Sequence, residues 1–235
     1  MQNAIIASTS TVYGERYLEY LLPYLEELFS ETTEVLFIPY ARPGGLSHQA
    51  YTQLVEEALE KIGKKVKGIH QFEDPVTALF EASGIFTGGG NTFVLVDQLY
   101  QQEILEPLRK AIHSGVPYLG TSAGSNICGL TMQTTNDMPI AYPPSFKTLG
   151  ILPFNINPHY LDPLPNSKHM GETRETRIKE FHSHNNIPVL GLREGGWIRL
   201  KRQGMTLEGS ENARLFVKNT SPRELPPGSD LSFLH

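Results

Sequence analysis

The run Leu119-Gly120-Thr121-Ser122-Ala123-Gly124-Ser125 sets a serine midway between two glycines. This is the G-x-S-x-G spacing of a nucleophile elbow, where a serine stands on a tight turn between a strand and a helix. Glycine suits the flanking positions because neighbouring chain must pass close to the turn with no Cβ in the way. A hydroxyl so placed projects at the carboxyl end of a sheet, and the Ala123 N–H is the first donor to an oxyanion formed by attack on a carbonyl. The plainer reading makes Ser122 a helix N-cap. A second cluster, Gly88-Gly89-Gly90-Asn91, also lies between a predicted strand and a predicted helix. It lacks both the spacing of a dinucleotide fingerprint and the lysine of a phosphate loop. At the same sheet edge, Gly90 would offer a second backbone N–H to the oxyanion; otherwise it is a tight turn.

A serine hydroxyl needs a base. Of the eight histidines, His159 is the candidate, because Phe154-Asn155-Ile156-Asn157 alternates apolar and polar residues as a strand does and Pro158 directs the chain just before the ring. His70, His113 and His169 have polar surroundings. His182-Ser183-His184 closes a helix with no carboxylate or cysteine cluster beside it, so no metal site is expected. Two carboxylates compete to orient the imidazole. Asp137 lies in the polar run Thr134-Thr135-Asn136-Asp137, whereas Glu194 lies in Leu192-Arg193-Glu194-Gly195-Gly196-Trp197, directly after a predicted strand. Strand-end placement leans towards Glu194 and leaves Asp137 for a substrate amine, but both remain open.

Short β-branched runs at residues 4–8, 35–39, 66–69, 85–87 and 116–119 are compact enough to be strands buried on both faces. Amphipathic stretches separate them: residues 16–29 carry a leucine stripe, Ser47 caps a helix that stops at Gly63, and residues 93–100 and 104–113 form a broken pair. The expected fold is α/β, a mostly parallel sheet flanked by helices. Residues 131–158, rich in Thr, Asn and Pro, read as functional loop. A helix follows at 172–182 and a strand at 188–192, then a C-terminal β-hairpin from 197–200 and 205–208 turning at Gln203-Gly204, and a last strand at 214–217. Residues 222–235 read as a loosely held tail on one peptidase-sized domain spanning 1–235.

The 235 residues are 39% hydrophobic and 19% charged, without a run long enough to span a membrane. The net charge is −5 and no Lys or Arg block exceeds two residues, so nucleic acid is not an expected partner. The single cysteine, Cys128, sits in an apolar stretch and reads as core filling; one cysteine excludes a disulfide framework and fits a reducing compartment. No secretory signal is visible at the start, and a cytoplasmic location is expected.

The chain resembles the peptidase E family of serine aspartyl dipeptidases, whose wider relatives include cyanophycinase and, by fold, class I glutamine amidotransferases. Six ordered motifs carry the resemblance: Gly88-Gly89-Gly90-Asn91-Thr92-Phe93, Ser122-Ala123-Gly124, Thr134-Thr135-Asn136-Asp137-Met138-Pro139-Ile140, Ile156-Asn157-Pro158-His159, Gly171-Glu172-Thr173-Arg174-Glu175 and Glu194-Gly195-Gly196-Trp197. It implies an amidotransferase-like (flavodoxin-like) fold and cleavage of dipeptides with an N-terminal aspartate, with no cofactor and no metal. It also implies Ser122 as nucleophile, His159 as base, and Asp137 or Glu194 as the third member. An acidic side chain entering a closed pocket calls for a cation of bidentate geometry, for which Arg174 is the candidate. Thr134, Thr135 and Asn91 are the polar groups expected to bind substrate with it. Arg174 otherwise reads as a surface partner on its own acidic helix. Competing functions are a cyanophycinase- or isoaspartyl-type peptidase and a noncatalytic module that binds an acidic metabolite.

Overall fold

The computed structural model describes residues 2–163, 170–202 and 204–234. Two positions singled out above, His169 and Gln203, lie outside them. In the first half, strands and helices alternate: β1 (Ala4–Ala7), α1 (Leu22–Leu28), β2 (Glu34–Ile38), α2 (His48–Leu59), β3 (Lys65–Gly68), α3 (Pro75–Glu81), β4 (Ile85–Thr87), α4 (Thr92–Gln101), α5 (Leu105–Ser114), β5 (Tyr118–Thr121) and the single turn α6 (Ala123–Asn126). The second half holds β6 (Asn155–Pro158), α7 (Arg174–His184), β7 (Val189–Leu192), β8 (Gly196–Lys201), β9 (Gly204–Gly209), β10 (Ala213–Phe216) and β11 (Arg223–Leu225).

Among the described residues the strands form two sheets. The larger has the order β3-β2-β4-β5-β1-β8-β9; its first five strands run parallel, and β8 and β9 are antiparallel additions. Strand periodicity explains why its strands read as continuous apolar runs. Successive residues point to opposite faces, so Ala4, Ile6, Leu36 and Ile38 join one core while Ile5, Ala7, Val35 and Phe37 join the other. Helices cover both faces: α1 and α2 pack Leu25, Leu28, Tyr51 and Val55 into one core, and α4 and α5 pack Leu95, Leu99, Leu108 and Ile112 into the other. With the inner parallel strands β1, β2, β4 and β5 buried on both sides, the polar groups that follow the strands gather at their carboxyl edge.

The smaller sheet, ordered β11-β10-β7-β6, was not foreseen from the sequence. Its two central strands, β7 and β10, are apolar on both faces: Leu190, Leu192 and Leu215 enter the larger core, while Val189 and Phe216 pack with Tyr160 and with Ile178 of α7 on the other side. That second core diverts β6 and β7 from extending the main sheet.

Four further differences from the sequence reading have physical causes. The helix expected at 16–29 is confined to Leu22–Leu28, after a 3₁₀ turn at Glu19–Leu21, because Leu18 adopts φ 59° and Pro23 can occupy only the first turn of a helix. Leu18 and Leu21 are nevertheless fully buried, so the leucine stripe marked burial without marking helix. The segment 131–158 is not all loop, since its end forms β6 beside β7. The fifth strand starts two residues later than expected, at Tyr118. The tail from 222 is docked rather than loose: β11 pairs with β10, the Leu231 N–H donates to the Met205 carbonyl at 2.8 Å, and Leu231 and Leu234 are buried. Its Pro, Gly and Ser content suggested a solvated end, but these two leucines tie it down. No helix is long and apolar enough to cross a membrane among the described residues.

Candidate active site

Three segments leaving adjacent parallel strands meet at the carboxyl edge of the main sheet: Ser8 after β1, Gly88–Gly90 after β4, and Ser122 after β5. Ser122 adopts φ 53°, ψ −111°, a conformation that an L-residue holds only when its surroundings impose it. The surroundings are backbone. The Ser122 N–H donates to the Ala7 carbonyl at 3.2 Å, and its own carbonyl accepts from the N–H groups of Ser125 and Asn126 at 3.0 and 2.8 Å. The Ser125 hydroxyl donates to the same Ala7 carbonyl at 2.7 Å. Gly124 must be glycine because a Cβ there would enter the Thr87 carbonyl, and one at Gly89 would stand 2.9 Å from Ser122 Cβ. The Gly88–Gly90 turn is therefore packed directly against the elbow. Neither the Gly90 nor the Ala123 N–H has an acceptor among the described residues.

His159 directly follows β6 and also has positive φ, 52°. Its N–H donates to Ser8 Oγ at 2.8 Å, and the Ser8 hydroxyl donates to the Leu192 carbonyl at 2.7 Å. One hydroxyl thus ties the His159 turn to β1 and to the end of β7. The imidazole bridges two side chains: Nε2 is 3.0 Å from Ser122 Oγ, and Nδ1 is 2.6 Å from Glu194 Oε1. An ionised carboxylate only accepts, so the ring proton resides on Nδ1 and Nε2 is left to accept from the Ser122 hydroxyl. This is the geometry of a hydroxyl activated by an oriented base. Glu194 also approaches Tyr20, whose phenol is pushed well above its usual range, first by burial and then by the Glu194 and Glu15 charges.

The other carboxylate is engaged elsewhere. Asp137 Oδ2 accepts from the Thr92 N–H at 2.7 Å, the Thr92 hydroxyl at 2.7 Å and the Thr135 hydroxyl at 3.0 Å. It therefore satisfies a free donor at the start of α4, where negative charge is favoured. Asn91 caps the same helix, accepting from the Val94 N–H at 3.1 Å and donating to the Met138 carbonyl at 2.9 Å. Thr134 is buried and donates to the Ile156 carbonyl at 2.8 Å. Asn91 and Thr134, expected to bind substrate, thus have their donors engaged in holding the 134–138 segment in place, and Thr135 is tied to Asp137.

Arg174 opens α7, whose N-cap Thr173 accepts from the Thr176 N–H. The guanidinium is half-buried and makes no hydrogen bond or ion pair among the described residues. Burial, and next the neighbouring Arg177, hold its pKa below the usual value, while Asp137 pulls it the other way. An incompletely compensated cation is thus set near the Asp137 charge. The i,i+4 pair on this helix is Glu175 with Lys179, not Arg174. His182 is buried and bonds the Ile187 carbonyl, and Cys128 lies in the core with its thiol pushed far up by burial. Ser8 and Thr92, both bonded to these segments, were not singled out in the sequence; a polar residue closing an apolar strand was the available signal for Ser8, and Thr92 carried none. Arg193, the sequence neighbour that could have paired with Glu194, binds Asp162 and Glu224 instead.

The profile of peptidase family S51 matches residues 4–208. The chain is 48% identical over 232 residues to "Peptidase E" of Streptomyces coelicolor, covering 99% of this chain and 94% of that protein. It is 47% identical over 236 residues to the "Probable alpha-aspartyl dipeptidase" of Drosophila melanogaster, covering 99% and 97%. The solved structure of a peptidase from an acI-B1 Actinobacterium shares the fold, with a TM-score of 0.70 at 17% identity over 99% of this chain and 97% of that one. With a serine elbow, a bridging histidine and a family match along most of its length, the chain belongs to peptidase family S51.

Proposed function

We propose that this serine peptidase hydrolyses dipeptides with an N-terminal aspartate, through an acyl-enzyme on Ser122. The observation that carries the reading is the continuous relay from Ser122 Oγ to His159 at 3.0 Å and from His159 to Glu194 at 2.6 Å. Ser122 Oγ attacks the scissile carbonyl as its proton passes to His159 Nε2, while Glu194 stabilises the imidazolium and keeps its orientation. The Gly90 and Ala123 N–H groups receive the oxyanion. His159 then protonates the departing amine; in the second half-reaction it takes a proton from the water that attacks the acyl carbonyl and returns it to Ser122 Oγ as that bond breaks and aspartate leaves.

Specificity follows from the charges beside the relay. Arg174 receives the substrate's side-chain carboxylate as a planar, bidentate donor. Asp137 uses one oxygen for Thr92 and Thr135, and its other oxygen accepts the α-ammonium. A cation and a neighbouring anion match an amino-terminal aspartate and disfavour a longer peptide, whose preceding residue would meet Asp137 without a charge. The third member of the relay is then Glu194 rather than Asp137, and Asn91, Thr134 and Thr135 support the pocket.

We also assign the architecture to the amidotransferase-like, flavodoxin-like class, with β8–β9 as its hairpin and residues 1–235 as one cytoplasmic peptidase domain. The parallel order β3-β2-β4-β5-β1 reproduces the 2-1-3-4-5 run of doubly wound sheets with β1 in fifth place. Comparing hydrolysis of α-Asp-Leu, β-Asp-Leu and Ala-Leu tests the function. Turnover confined to α-Asp-Leu is expected; preference for β-Asp-Leu would assign an isoaspartyl-type activity, and no turnover of any would leave a binding module.

A further inference from the structure

The relay has an unexplained feature: its histidine and carboxylate are open to solvent, yet it is well aligned. The His159 and Glu194 side chains are 36% and 49% exposed. With a neutral imidazole this contact is a hydrogen bond, and one so open to water contributes about 1 kcal/mol, no more than the roughly 1–3 kcal/mol that holding His159 at positive φ costs. Something outside the pair must fix the two segments.

Arg193 directly precedes Glu194, and Asp162 follows His159 by three residues. A guanidinium has five N–H donors, and all of those of Arg193 are used. Nε donates to Asp162 Oδ2 at 2.7 Å and Nη2 to Asp162 Oδ1 at 2.9 Å; Nη1 donates to the Asn212 carbonyl at 2.6 Å and to Glu224 Oε2 at 2.9 Å; Nη2 also donates to Glu224 Oε1 at 3.1 Å. The side chain is only 17% exposed and lies over the Tyr160 ring, 5.4 Å from its centroid. Glu224 belongs to β11, within the tail that composition alone marked as loose. It also binds Arg214, whose other nitrogen reaches Glu175, the neighbour of Arg174 on α7.

We propose that Arg193 is the positioning residue of this site, clamping the chain beyond His159 to the chain that carries Glu194 and anchoring both to the terminal strand through Glu224. The inference rests on the reading of Ser122, His159 and Glu194 as the acyl-transfer relay. Arg193 does not touch substrate; it acts by keeping Nδ1 and Oε1 in register. Bidentate binding at both carboxylates needs a planar fork, so lysine, with three donors on one nitrogen, cannot replace it.

The test is a kinetic cycle on one Asp-X dipeptide with the wild type, Arg193→Lys, Glu194→Gln and the double variant. Arg193→Lys is expected to lower kcat by on the order of 10- to 100-fold, as small misplacements of reacting groups do, with KM within about twofold. In the Glu194→Gln background the same change should cost less than about threefold, because the two residues act through one contact. Equal losses in both backgrounds, an unchanged kcat, or a loss confined to KM would overturn the clamp while leaving the relay standing. An unchanged kcat in Glu194→Gln would overturn the relay reading and the clamp with it. If Arg193→Lys does not fold, Asp162→Asn at the exposed end of the clamp carries the same expectations and the same deciding results.

Discussion

The turn that carries Ser122 and the turn that carries His159 both run through positive φ, at 53° and 52°, but different forces hold them there. At Ser122 the constraint is steric and backbone-borne: the Ala7 carbonyl, the α6 turn and glycines packed against Thr87 and Ser122 leave the chain no other path. At His159 the constraint comes from side chains that join the two sheets: Ser8 from the end of β1 in the main sheet, and, from the second sheet and its flanks, Glu194 after β7 and the Asp162–Arg193–Glu224 clamp. The proposed nucleophile is built into the scaffold, whereas the proposed base is brought to it by polar contacts. Substitution should therefore disrupt the first region through clash and the second through lost alignment.

The largest effect is expected where the two regions meet. Ser122→Ala should lower kcat by up to roughly 10⁶-fold, as nucleophile removal does in serine enzymes, without altering the unfolding midpoint. Activity above about one per cent of wild type would show that Ser122 is not the nucleophile. Glu194→Gln should lower kcat by roughly 10²- to 10⁴-fold with little change in KM, because the amide cannot stabilise the imidazolium. If Asp137→Asn instead collapses kcat while Glu194→Gln does not, their roles are exchanged.

Gly124→Ala sharpens the steric side of the contrast. Its Cβ would be driven into the Thr87 carbonyl, so stability should fall by about 3 kcal/mol or more, read as a lower urea midpoint. A normal midpoint would mean that the elbow is not sterically held. Arg174→Met should raise KM for Asp-X dipeptides by about 10- to 100-fold, with a much smaller effect on residual Asn-X cleavage; equal losses on both would return Arg174 to a scaffold role. The smallest effect is expected at Ser8→Ala, which removes the bridge between the His159 N–H and the Leu192 carbonyl. A loss of about 1–2 kcal/mol in stability, with a modest drop in kcat, should appear in a denaturation curve and a saturation profile, whereas an unchanged curve would show the bridge to be dispensable.

What the sequence determined by itself is local. The apolar runs identified the parallel strands because those strands are buried on both faces, and Gly120-Thr121-Ser122-Ala123-Gly124 identified the elbow because the glycine requirement is steric and set within a few residues. Ser47 and Gly63 marked the limits of a helical stretch for the same reason: caps satisfy their own turn. Tertiary structure decided whatever depends on segments distant in the chain. Asp137 and Glu194 are both carboxylates beside small polar residues, and nothing within either segment separates them; the choice was made when β7 paired with β6 and brought Glu194 under His159, while α4 presented its first N–H to Asp137. The same holds for Ser8, Arg193 and Glu224, whose partners lie from 10 residues away, for Glu224 and Arg214, to 184, for Ser8 and Leu192. A cap or turn is a short-range balance that composition reveals, but the partner of a long polar side chain is fixed only when the sheets close and bring distant segments together.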